Sequence, residues 1–200
     1  NKDLGLDKEN VVSVYTSLWY NVAGFKQELL RNPNVKSISM GAPIENLGEG
    51  EAHGDGSLFR WTNIDGQEDS LKMVIVFADG DFSKTFGLEL IKGKLLESDF
   101  GKYWGDRNPG IVINEAAWKG MKVADPIGME LQMSTWGKMH IVGVVKDFNF
   151  QSLREKIKPA ILYYSPEALS YMHIKIAPEH RQETLKFIQR KYEEMAVQDD

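Results

Sequence analysis

The feature that most constrains this chain is residues 140–166, HIVGVVKDFNFQSLREKIKPAILYYSP. Ile141, Val142, Val144 and Val145 form a short β-branched run, and such side chains favour a pleated, buried surface. Gly143 interrupts the run with no side chain to pack, which suits a buried strand approached closely by another backbone. Asp147 and Asn149 carry turn chemistry and end the strand. Ser152 and Glu155 have the spacing of a capping box, in which hydroxyl and carboxylate satisfy each other's free backbone N–H groups at a helix start. Pro159 pushes Lys158 out of the helical region, so the helix is a single turn. Residues 160–164 then resume as a strand that Pro166 ends.

The two ends of the chain share a design. Residues 11–15 are β-rich; after Ser17, a candidate N-cap, Leu18, Val22, Phe25 and Leu29 recur at helical spacing until Asn32-Pro33, and residues 35–40 return to strand. At the far end Met172, Ile174 and Ile176 alternate with Tyr171, His173 and Lys175, and Pro178 opens a helix with Leu185, Ile188, Tyr192 and Met195 on one face. Between them the texture changes. Residues 41–56 read as a loop rich in Gly and Glu, and residues 71–78 as a strand covered on both faces. Asp81 can cap a short helix through Phe86 with Gly87 at its end, followed by a strand over 88–91 that turns at Gly93. Residues 111–113 predict a strand, 114–121 a helix, and 128–133 a strand that leads through 134–137 into the central strand as a hairpin. The expected organisation is α+β: residues 1–56 together with 147–200 as one α/β lobe of βαβ-like units, and 57–146 as an inserted β-rich lobe.

Composition narrows the function. Two hundred residues, 42% hydrophobic, can bury roughly 70% of the unfolded chain's surface without covalent staples. The net charge of −5 and the scattered Lys and Arg argue against a nucleic-acid partner. The chain has no cysteine, which excludes disulfides, thiolate metal sites and cysteine nucleophiles. No apolar run approaches the roughly 18 residues of a membrane span. The abrupt ends are expected to mark a segment of a longer protein whose membrane anchors lie outside it.

Each candidate for chemistry meets a simpler explanation. Asp99-Phe100-Gly101 spells the magnesium-binding triplet of protein kinases, but there is no Gly-rich loop and no His-Arg-Asp loop. Glu49, Glu51, His53 and Asp55 place four ligand types at alternate positions, in a glycine-rich loop that cannot pre-organise a metal. Gly48 and Gly50 lack the further glycine and preceding strand of a dinucleotide site. His140 and His173 fall in strands, where a hydrogen-bonded structural imidazole is the plainer reading. No serine stands in a Gly-x-Ser-x-Gly context. Asp147 and Asn149 could be a carboxylate and its orienter, but turn chemistry explains them without that assumption. The expectation is a domain without catalytic, cofactor or metal residues.

Three segments carry a resemblance. IVGVVKDFNFQSLREKIKPAIL, FADGDFSKTFGLELIKGKLL and IVINEAAWKGMKVADPIGMEL together resemble, in order and over nearly the whole chain, the MacB-like periplasmic core domain of FtsX-like ABC transporter permeases. Lys94 stands where that domain more often has arginine, and Trp118 and Trp136 are particular to this chain. The resemblance implies a membrane-proximal, porter-like terminal lobe with a sabre-like inserted lobe. It places the domain at the periplasmic face of the inner membrane, anchored by spans outside this chain. It implies a second permease copy and a cytoplasmic ABC ATPase as partners, with a periplasmic adaptor as a further candidate. The function implied is mechanical, coupling ATP-driven motion of membrane helices to export or handover of a substrate. The large amphipathic rings of Tyr103, Trp104 and Trp136 are the candidate partner contacts. The alternative from another class is a free periplasmic solute-binding or sensor module, which would need a deep, mostly apolar pocket between the lobes.

Overall fold

Strand formation around Ile141 organises the molecule in the computed structural model, which describes residues 7–16, 22–43, 56–97, 110–148 and 156–196. In chain order the elements are β1 Val11–Tyr15, α1 Val22–Leu30, β2 Val35–Gly41, β3 Ser57–Thr62, β4 Glu68–Phe77, α2 Phe82–Phe86, β5 Leu90–Gly93, β6 Gly110–Asn114, α3 Glu115–Met121, β7 Glu130–Met133, β8 Gly137–Val145, β9 Ala160–Tyr163, β10 Tyr171–Ile176 and α4 Arg181–Ala196. Short 3₁₀ turns at Pro166–Ala168 and Pro178–His180 precede β10 and α4. The fold is mixed α+β.

The strands form two sheets. One has the order β1-β10-β2; the other runs β5-β8-β6-β9-β4-β3-β7 and also pairs β7 with β8. That last pairing closes β8, β6, β9, β4, β3 and β7 into a ring, which removes the free edges that an open sheet exposes. β8 pairs with β6 along one side; on its other side it pairs with β7 near Lys138 and with β5 near Val144. Alternation then divides the side chains. Met73, Ile75, Ile111, Ile113, Met139, Ile141, Val144 and Ile161 share one core with Ala117 and Met121 of α3. Val74, Val76, Val112, Val145, Ala160 and Leu162 face a second core with Phe82 and Phe86. This two-sided burial is the reason β4 reads as a continuous apolar run.

The three-stranded sheet buries Ile38, Met40, Met172, Ile174 and Ile176 against Phe25 and Leu29 of α1 and Ile188 of α4, so the two terminal helices share a core. Leu185, Tyr192 and Met195 pack at its margin, as the spacing predicts. The opposite face is a polar row, Ser13–His173–Ser39 in direct cross-strand register, lying under Phe82 and Phe86 of α2.

The sheet division differs from the expected boundary between 146 and 147. β9 lies beyond that boundary in sequence, yet it sits between β6 and β4 in the seven-stranded sheet. Its four residues are bracketed by prolines and nearly all buried, so nothing local marks which sheet receives them. Gly93 is not a turn but the last residue of β5, with φ of 75° and a backbone contact onto β8. Asp81 sits at the start of α2 without a side-chain cap bond, and Gly87 ends the helix in the left-handed region as expected. The Ser17 cap, the loop over 44–55, Asp99-Phe100-Gly101, Asn149 and the Ser152–Glu155 capping box lie outside the described residues.

Candidate functional site

Three motif positions from the sequence meet in space. Asn114, fully buried at the end of β6, accepts the Ala117 N–H at 3.0 Å and so caps α3, accepts the Ala160 N–H at 2.9 Å, and donates to the Lys158 carbonyl at 3.0 Å. Asp147 accepts the Ala116 N–H at 2.8 Å, while Glu115 accepts the Asp147 N–H at 3.3 Å. Asp147 therefore supports the start of a helix 31 positions away rather than shaping its own turn alone. The Asp147 carboxylate serves a backbone N–H of the first turn of α3, while the Glu115 carboxylate, itself in that turn, serves the Asp147 N–H; negative charge there also favours the helix dipole.

His173 is buried and engaged at both ring nitrogens. Nε2 lies 3.0 Å from the Ala42 carbonyl oxygen, which can only accept, so Nε2 carries the proton; in the neutral ring Nδ1 then accepts from the Ser13 hydroxyl at 2.9 Å. Among the described residues, no three His, Asp or Glu side chains gather as metal ligands, and no helix is long and apolar enough to cross a membrane.

The seam between the sheets holds a strongly perturbed carboxyl. Gly41 of β2 bridges to Ala78 beyond β4, and the Asp79 N–H donates to the Met40 carbonyl at 3.0 Å. The Asp79 carboxylate, 1% exposed, accepts the Met40 N–H at 2.9 Å and the Asp81 N–H at 3.1 Å. Lys26 of α1 reaches Asp79 at 3.4 Å and Asp81 at 2.7 Å. Burial dominates over Lys26 and the Met40 N–H and pushes the Asp79 carboxyl up to about 6. The folded chain thus holds a proton that the unfolded chain has released between pH 3.8 and about 6. Stability from this group is full below that window and is lost as pH rises through it. Between pH 4.5 and 7.5 the loss amounts to about 2 kcal/mol. Asp79→Asn is expected to remove this component, so urea unfolding of the two proteins at both pH values should differ in slope with pH. Parallel responses would show that Asp79 is ionised throughout.

The sequence-predicted contact Trp136 lies in the turn between β7 and β8 and is 40% exposed. Its ring stacks on Tyr163 at 5.3 Å and 20°, and meets Phe77 at 5.6 Å. Phe77 and Tyr163 are register partners at the ends of parallel β4 and β9. Beside the three rings is an open groove of about 380 Å³, lined further by Ser165, Glu167 and Ala168. Ser165 donates its hydroxyl to Glu167 at 2.7 Å. Burial first, then the Glu167 charge, raises the Tyr163 phenol above its ordinary value. Tyr103 and Trp104 lie outside the described residues. Sequence reasoning missed Phe77, Tyr163 and Glu167 here; they become a cluster only when β4 and β9 pair across more than 80 positions. Among the described residues, further open grooves include one of about 260 Å³ along Arg60, Glu68 and Glu130 and one of about 360 Å³ where α1 ends against α4. Trp118, also singled out in sequence, donates its indole N–H to the Val123 carbonyl at 3.0 Å and packs on the core shared with α3.

Comparison with known proteins gives a likeness of fold. No family model matches the chain, and no curated protein matches it. Among solved structures it is similar to the periplasmic region of MacB from Actinobacillus actinomycetemcomitans, with 13% identity and a TM-score of 0.56 over 93% of this chain and 85% of that one. It is similar to the extracellular domain of the noncanonic ABC-type transporter YknZ from Gram-positive bacteria, with 10% identity and a TM-score of 0.51 over 86% of this chain and 78% of that one. A domain of a Porphyromonas gingivalis protein assigned as a permease gives 18% identity and a TM-score of 0.50 over 91% of this chain and 84% of that one. The chain has the fold of a MacB-like periplasmic domain.

Proposed function

We propose that this chain is the extracytoplasmic domain of an ABC transporter permease, carrying motion from membrane helices outside it to the export or handover of a substrate. The observation that carries this reading is the fold likeness to the MacB periplasmic region over 93% of the chain. A two-lobed arrangement fits it. β1 near the start of the chain and α4 near its end border one core, which supports both ends facing the same membrane while the ring of strands projects away. In this reading the working assembly is a permease dimer with a cytoplasmic ATPase, and a periplasmic adaptor is a further partner.

Motion passed through the domain needs a stiff link between its two sheets. Backbone pairing at Gly41 and Ala78 and the Asp79 bonds supply one between β2 and the end of β4, and the Lys26 ion pairs tie α1 to it. Trp136, beside that seam, is the proposed partner contact, and Tyr103 and Trp104 are further candidates from the sequence. In the full permease with its ATPase, Trp136→Ala is expected to lower transport several-fold with normal folding and retained ATP hydrolysis, the range that loss of one interface aromatic gives. Trp104→Ala is tested alongside. Unchanged transport in both would refute the aromatic assignment, and turnover of a hydrolase substrate by the isolated chain would overturn the mechanical reading.

A further inference from the structure

The groove beside Trp136 has a chemistry of its own. Its lining consists of three aromatic rings, a hydroxyl, a methyl group and one charge, the Glu167 carboxylate. Glu167 is exposed, and its hydrogen-bond partner is the neutral Ser165 hydroxyl; among the described residues no ion pair engages it. Lys138, two positions along the hairpin from Trp136, is held by Glu130 at 2.6 Å, so that nearby cation is engaged elsewhere. Aromatic faces present negative potential, and here a carboxylate adds to it at the same rim. The Tyr163 phenol is pushed up by burial first and by the Glu167 charge second. The groove therefore favours a cation.

We propose that this groove receives an arginine side chain presented by a partner protein, its guanidinium lying against the Trp136–Tyr163 cluster and paired with Glu167. The guanidinium is planar, weakly hydrated and able to stack on a ring while donating sideways to a carboxylate. An ammonium group is compact and strongly hydrated, and gains less from the same surroundings. Position adds meaning to the contact. Trp136 belongs to the ring of strands, whereas Glu167 lies in the 3₁₀ turn that leads into β10 of the three-stranded sheet. An arginine seated here touches both the β7–β8 turn and the segment that links the two sheets. The proposal rests on the partner-contact reading and names the chemistry of that partner.

The test uses the 200-residue chain and three blocked tripeptides, Gly-Arg-Gly, Gly-Lys-Gly and Gly-citrulline-Gly, with the Trp136 indole signal followed by NMR and assigned through Trp136→Phe. The arginine peptide is expected to shift that signal saturably, and the uncharged citrulline peptide to bind about threefold or more weakly, the range that exposed cation–π contacts and surface ion pairs give. Glu167→Gln should narrow the gap between the arginine and citrulline peptides, leaving only the preference that the aromatic faces give. Equal binding by arginine and citrulline to the unaltered chain, or no saturable shift, would overturn the proposal. If transport falls in Trp136→Ala while the arginine peptide leaves the signal unmoved, the partner contact stands and the arginine assignment falls. Saturable arginine binding with unchanged transport would leave the site and remove its transport role.

Discussion

Ile141→Asp is expected to leave the chain unfolded in water at 25 °C, and Val144→Asp to do the same. Both side chains are fully buried in β8, the strand that pairs with β5, β6 and β7. Ile141 is the register partner of Ile111 and shares a core with Met139 and Ile161. A carboxylate there loses about 2–3 kcal/mol of apolar burial and adds several more for desolvating an unpartnered charge. Against a total stability of roughly 5–15 kcal/mol for an ordinary domain, that exceeds what the fold can absorb. The backbone bonds at the same position deepen the effect. The Ile141 N–H donates to the Met129 carbonyl at 3.0 Å, and Gly128 donates to the Ile141 carbonyl at 2.8 Å, so a shift of Ile141 also detaches the turn before β7. Ile64→Asp is the matched control, because Ile64 is fully exposed in the turn between β3 and β4. Circular dichroism and urea titration of the three variants give the answer; similar losses at 141 and 64 would mean that the core lies elsewhere.

How much of this was legible in sequence depended on how local the signal was. β8, β4, α1 and α4 were readable because β-branched runs and helical spacing are written within ten or so residues. The helix after β6 was readable for the same reason, although Asn114, read as its first residue, is its cap. β3 was missed. Its turn partner was visible in the Asp65-Gly66 dipeptide, and Gly66 does adopt a φ of 76° there, with Asn63 accepting the N–H groups of Asp65 and Gln67. The sheet membership of β9 had no local signal at all. The same distinction governs the candidate site. Trp136 could be named from its size and its hairpin, but the groove needs Phe77 and Glu167 as well, which only the β4–β9 pairing brings near it. Asp79 carried no sequence mark of its burial; it takes its character from that burial at the seam, which outweighs the opposing Lys26 charge and Met40 N–H.

Gly143→Ala is expected to cost about 3 kcal/mol or more, at the upper end of what one added methyl produces. A Cβ at Gly143 would lie 1.9 Å from the Lys94 carbonyl oxygen and 2.9 Å from its carbon. Those are backbone atoms, so no rotamer change relieves the clash; the chain at β5 must move by more than 1 Å to restore an ordinary contact. The approach is mutual. A Cβ at Gly93 would meet the Val142 carbonyl oxygen at 2.2 Å, and the Lys94 N–H donates to that oxygen at 2.9 Å. Because the contact is made by backbone, a lysine at position 94 serves it as well as an arginine. Displacing β5 would disturb Leu88 and Leu96, which flank it in the core under α2. Faster hydrogen exchange at the Lys94 and Lys146 amides, which donate to Val142 and Glu89, is the local signature. Gly128→Ala separates the causes. Gly128 has a φ of 81° and nothing within 4 Å of an added Cβ, so that change carries the left-handed backbone cost alone, about 1–2 kcal/mol. Gly143 has no positive φ, and its cost is steric. Equal losses at the two glycines, or unchanged exchange at Lys94, would refute the backbone contact that holds β5 on the central strand.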